Sequence, residues 1–110
     1  HVHQWFDDTV GLVGDWRTPG PVYAIPLSAL AGVANRNLLA AGRCISSDTT
    51  AWDVTRIIAA CAVSGEGAGA AAALATRTAG GDLRSLPIPL LQEHLKGQGV
   101  LLDPQLVLPA

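Results

Sequence analysis

From Ile57 to Thr78 the chain reads IIAACAVSGEGAGAAAALATRT, a stretch built almost wholly of small residues and carrying Gly65, Gly67 and Gly69. As one helix it would be on the order of 33 Å long at 1.5 Å per residue. Each internal glycine costs such a helix roughly 1 kcal/mol against alanine, so close packing has to compensate. Gly65 and Gly69 stand four apart on one face, with Ala62 and Ala73 nearby, and that strip is expected to admit a neighbouring backbone. A competing reading takes Gly65–Ala70, GEGAGA, as a dinucleotide-binding turn of the form G-x-G-x-x-A. It requires a strand over Ile57–Val63, a second strand, and an acidic residue about 20 positions on. Asp82 is in range, but Leu83-Arg84-Ser85-Leu86-Pro87 makes a poor strand. The helix is the better assignment.

The residues before the helix suggest a ligand site. Leu38–Ala41 is a short apolar run, expected as a central strand covered on both faces, with parallel neighbours. Ligands of open α/β sheets bind beyond the carboxyl ends of such strands, where Gly42 and Arg43 fall. A glycine there lets a cofactor approach the backbone. An arginine offers a permanent charge suited to a diphosphate, or alternatively an ion pair with Asp48 or Asp53. Ser46–Asp53 is expected as a cofactor-facing loop, with Ser46 and Thr50 as hydrogen-bonding groups and Trp52 either packing over a ring or, the better reading, plugging the core. Thr55 is a candidate N-cap for the helix. Asp48 and Asp53 lack a visible acid–base partner, so the sequence designates no catalytic residue.

Elsewhere the pattern is of short elements. His1–Arg17 predicts one or two strands bent at glycines. Thr18-Pro19-Gly20-Pro21 predicts a turn, Val22–Ile25 an extended run stopped by Pro26, and Leu27–Leu30 one helical turn. Pro87–Lys96 predicts an amphipathic helix ended by Gly97, with Leu90, Leu91 and Leu95 apolar and His94 at the surface. Val100–Leu108 predicts an apolar tail packed on the body. His1 and His3 would share a strand face; with no further ligand nearby, no metal site is expected.

Composition limits the partners. The 110 residues suit one domain, and 49% are hydrophobic, although one Phe, one Tyr and no Met make for a small-residue core. A formal net charge of -2 without basic clusters argues against nucleic acid and anionic membranes. Glu66 and the glycines interrupt the nearest approach to a bilayer-spanning run. Without a signal pattern, the expected address is cytoplasmic, with Cys44 and Cys61 as free, buried thiols.

NLLAAGRCIS followed by TRIIAACAVSGEGAGAAAALA resembles the C-terminal portion of FAD-dependent oxidoreductases, in the group ending with a strand, a Gly-Arg-Cys-Ile-Ser turn and a Gly/Ala-rich helix. IPLSAL and LLQEHLKGQGVLL sit where that family has similar segments, so the resemblance covers roughly Val22–Leu102. It implies an α/β fold, the C-terminal part of an FAD/NAD(P)-binding Rossmann-like domain. Residues 1–36 would be a β-rich segment from the substrate side, and residues 37–110 part of the FAD-binding domain. It also implies that the long helix points its N-terminus at the pyrimidine edge of the isoalloxazine, stabilising negative charge there. That role falls on Arg56, Ile57 and Ile58, mainly through backbone groups, with Gly42, Arg43, Ser46 and Thr50 completing the FAD contacts. Many flavoproteins carry an acidic residue after the corresponding glycine; Arg43 stands there instead. Many relatives also have a proline near the start of this helix, where Ala59 or Ala60 stands.

No strand–turn–helix unit for the ADP diphosphate precedes Val22. The chain is therefore expected to complete its FAD site with the remainder of the same enzyme, and alone to be inactive and bind FAD weakly or not at all. Its small-molecule substrate is not legible. The alternative is a non-enzymatic interaction or dimerisation module without a cofactor, and apolar surface makes self-association an expectation for a fragment.

Overall fold

The computed structural model describes residues 4–15, 17, 20 and 22–107, excepting the side chains of Thr49 and Thr50. The expectations on His1, His3, Thr18, Pro19, Pro21 and Leu108 lie outside them. The fold is α/β: a two-stranded sheet with helices. Strand β1 (Thr9–Gly14) and strand β2 (Val22–Pro26) form an antiparallel hairpin, followed by a 3-10 turn at Leu27–Ala29. Three α-helices follow: α1 (Thr49–Thr55), α2 (Ile58–Thr78) and α3 (Ile88–Gly97). Further 3-10 turns lie at Gly42–Cys44, Leu83–Ser85 and Pro104–Leu106.

The hairpin register pairs Thr9 with Pro26 and Gly11 with Ile25, leaving Val10 as the extra residue of a bulge. A bulge turns two successive residues toward the same side, and here Val10 and Gly11 both abut α2. A Cβ on Gly67 would stand 2.8 Å from Val10 Cγ2, and one on Gly11 would meet Val63 Cγ1. The small residues of α2 thus serve close approach to β1, but through Gly67. Gly65 and Gly69 are exposed, with nothing within 4 Å of a built Cβ, which corrects the expected strip. The reason is rotation at 100° per residue: Gly67 faces almost opposite to the other two.

The core gathers Val10, Val13 and Ile25 of the hairpin, Ala60, Ala71, Leu74 and Ala75 of α2, and Leu91 and Leu95 of α3. The last two are fully buried, whereas Leu90 stays 41% exposed. Leu102 and Val107 of the tail are buried, as expected for a segment packed on the body. Gln92 of α3 fastens the hairpin by donating from Nε2 to the carbonyls of Asp7 (2.9 Å) and Thr9 (3.1 Å). By length and composition α2 could cross a bilayer, its 18-residue window reaching a mean hydropathy of 1.4. It reads as more continuous than the interrupted run expected from sequence, yet one face packs on the hairpin and α3.

Four expectations are overturned. Leu38–Ala41 forms no strand. It makes an isolated antiparallel bridge between Leu39 and Ala31, and Leu38 is 55% exposed. Its only described strand-like neighbour is the Leu30–Gly32 segment, through Ala40 N–H to Leu30 O and Gly32 N–H to Leu38 O. The second half of the Ser46–Asp53 loop is helical, because Asp48 caps α1 by accepting from Ala51 N–H at 3.3 Å. Trp52, placed on that helix, is 50% exposed instead of plugging the core. Thr55 does not cap α2: it ends α1 and pairs its hydroxyl with Ser47 at 2.9 Å, and Ile57 takes the N-cap position.

Candidate functional site

Ala41 leads in extended conformation into the Gly42–Cys44 turn, which Gly42 opens with a φ of +64°. A side chain there would be strained. The turn lies on the first two turns of α2: Gly42 N–H donates to Ser64 Oγ at 2.8 Å, and Cys61 Cβ and Sγ stand 3.7 Å from a Cβ built on Gly42. Ser64, 1% exposed, donates in turn to Cys61 O at 3.2 Å. Gly42 therefore packs at the entry of the long helix. It gets there on a turn instead of at the end of a central strand.

Arg43 projects from this turn and is exposed, with no ion pair among the described residues. The alternative of pairing with Asp48 or Asp53 is excluded by their other partners. Asp48 caps α1, while Asp53 faces Arg17 at 3.4 Å and Arg56 at 4.0 Å. A surface chain results, Asp15–Arg17–Asp53–Arg56, closed by Arg56 over the Trp52 ring at 4.7 Å. Hydrogen bonds from the Arg17 side chain and amide hold the Asp15 carboxyl below its ordinary range and push the Arg17 guanidinium up. Cys44 is exposed, against the expectation of a buried thiol, and Cys61 is half-buried; neither is in a disulfide.

Arg56 and Ile57 form the junction between α1 and α2. No side chain caps α2, so its first N–H groups lack a side-chain acceptor at the positive end of the helix dipole, with Ala59 exposed there and Ala60 buried. Ile57 packs on the core, and Ile58 is 90% exposed. Where a side chain usually covers such an end, this one offers backbone donors beside an apolar surface. The Gly42–Cys44 turn thus packs on Cys61 and Ser64 of α2, within the two turns that follow Ile57, while Arg56 adjoins at the end of α1.

Ser46 belongs to a neighbouring feature, a cleft of about 390 Å³ between the hairpin and α1. Its wall is apolar at Val13, Ile25 and Val54, and polar at Ser46, Ser47 and Asp48. Thr50 enters the structure only as backbone in the first turn of α1; its side chain lies outside the described residues. Sequence reasoning missed Ser64, although a signal existed. Position 64 shares a helix face with Ala60, Gly67, Ala68 and Ala71, so a hydroxyl there must find a partner. Among the described residues no group of three or more His, Cys, Asp or Glu is placed to hold a metal.

An uncapped helix start, a left-handed glycine turn and an arginine without an ion pair among the described residues are thus the polar features of this end of the α/β domain. A family model described as FAD dependent oxidoreductase matches residues 7–95, and the chain belongs to that family. No curated protein and no solved structure matches it. Uncapped backbone donors, a left-handed glycine, an exposed guanidinium and an exposed isoleucine are chemically compatible with one edge of FAD. The GEGAGA run is interior to α2, so among the described residues it supplies no turn for a diphosphate.

Proposed function

We propose that this chain supplies the flavin-side edge of an FAD site in an oxidoreductase, with Ile57 and Ile58 at the start of α2 and Gly42 and Arg43 on the facing turn as its contacts. The observation that carries this reading is the uncapped N-terminus of α2 beside the left-handed Gly42 turn, in a chain of the FAD family. The α2 amides would hold the pyrimidine edge and favour negative charge on it. Gly42 would allow the ring to come close, Arg43 would add a fixed positive charge, and Ile58 would exclude water from one side. FAD supplies the electron or hydride transfer; these residues bind it and set its electrostatics. Ser46 would border the cleft beside it, where a substrate has room.

The diphosphate and adenosine contacts are assigned to the remainder of the enzyme, so the 110 residues alone should bind weakly and turn nothing over. Titrating the ¹⁵N-labelled chain with FAD tests this. Shifts concentrated at Gly42, Arg43, Ile57 and Ile58, at millimolar FAD, are the expected result. No shift, or shifts confined to other surfaces, would overturn it, and tight binding would overturn the assignment of the missing contacts.

A second reading, a cofactor-free interaction module, is favoured by exposed apolar side chains away from this edge, Val33 at 91% and Leu101 at 68%. It predicts concentration-dependent association without any response to FAD.

A further inference from the structure

Thr9 and Ser64 are the buried polar residues among the described ones. Thr9 spends its hydroxyl locally, donating to Phe6 O at 2.6 Å. Ser64 acts at long range. A helical serine is commonly satisfied by a carbonyl of the preceding turn, and Ser64 makes that bond to Cys61 O. Its oxygen also accepts the amide of Gly42, 22 positions earlier, at 2.8 Å. With its proton directed at Cys61 O, the hydroxyl has a lone pair left for Gly42 N–H, so one rotor joins the register of α2 to the turn. The amide it holds belongs to the residue with φ of +64° that redirects the chain just before Arg43.

We propose that Ser64 is a positioning residue: it fixes the Gly42–Cys44 turn on α2 so that Arg43 is presented to the same ligand edge as the α2 amides, and touches no ligand itself. This rests on the flavin-edge reading. Removing the hydroxyl leaves Gly42 N–H without its buried partner, and frees the turn to rotate Arg43 away while the start of α2 stays in place.

The test compares the full chain with Ser64→Ala and Ser64→Thr by amide exchange and by FAD titration of ¹⁵N-labelled protein. In Ser64→Ala, Gly42 amide exchange should quicken about tenfold. The FAD-induced shifts at Gly42 and Arg43 should vanish while those at Ile57 and Ile58 persist, and the apparent Kd should rise about fivefold, the equivalent of one hydrogen bond. Ser64→Thr, which keeps the hydroxyl, should restore all three. Faster Gly42 exchange with unchanged FAD shifts at Arg43 and unchanged Kd would overturn the proposal and leave the flavin-edge reading standing. Absence of FAD shifts in the unmodified chain would remove both. Should Ser64→Ala not fold, Ser64→Cys, close in volume and a weaker partner, is read against the same outcomes.

Discussion

Gly67 lies so close over Val10 that a Cβ built on it would stand 2.8 Å from Cγ2 and 3.1 Å from Cβ of that valine. Val10 is 1% exposed and β-branched, so it has little room to yield. Alanine at 67 would gain about 1 kcal/mol in helix propensity and lose more to overpacking, of order 1–3 kcal/mol. Gly67→Ala should therefore lower stability in urea denaturation. Gly65→Ala and Gly69→Ala, which meet nothing, should raise it by about 0.5–1 kcal/mol each.

Gly42 presents the converse case, where space is available and conformation is not. A Cβ there would be in ordinary contact with Cys61 at 3.7 Å, but φ is +64°. Gly42→Ala should cost about 1–2 kcal/mol through left-handed backbone strain. Denaturation of the single variant, set beside Gly65→Ala, separates this strain from helix propensity.

Arg43 is exposed and has no ion pair among the described residues. Arg43→Ala should leave stability within about 0.5 kcal/mol. On the proposed function it should weaken FAD binding about fivefold or more, as expected for a lost charge-assisted contact. The same FAD titration provides the readout.

Asp82 should impart acid sensitivity. The Ser85 hydroxyl at 3.0 Å, the Arg84 amide at 3.0 Å and the charges of Arg36 and Arg84 hold its carboxyl below the ordinary 3.8. The folded state then binds its proton less readily than the unfolded one. Its stabilisation is full above pH 3.8 and is lost as pH falls through the lowered folded value. The stability gap between the native chain and Asp82→Asn should be constant near neutrality and narrow below pH 4.

Leu91 and Leu95 are the fully buried large side chains of α3. Either replaced by alanine should cost about 2–5 kcal/mol, more where the small-residue surface of α2 cannot close over the void. Denaturant midpoints would measure it.

The extent of α2 was legible because its run of small residues and a fingerprint without a following strand agreed on one helix. The extended runs of the hairpin were legible from the glycine-bent pattern of His1–Arg17 and from Pro26, though their pairing was not read, and α3 was legible as an amphipathic helix carrying Leu91 and Leu95. The identity of the contacting glycine was not, because three glycines at alternate positions look alike until the core side is known. Leu74 held that information, since it shares a face with Ala71 and Gly67. The fate of Leu38–Ala41 was illegible for another reason: an apolar run becomes a strand only when a partner runs along its edge, and partners are a property of the whole fold. In the site, Gly42 and the start of α2 were singled out by pattern and resemblance. Ser64 was passed over because a serine among alanines looks inert until the amide it receives is known.

The Gln92 bonds to Asp7 and Thr9, spanning 85 and 83 positions, bear on how this fold is born. On a translating ribosome the hairpin emerges well before its clasp, which arrives only when half of α3 has been synthesised. Until then the side of α2 awaiting Leu91 and Leu95 is bare, and the nascent chain depends on speed or on a chaperone to keep that surface from other molecules.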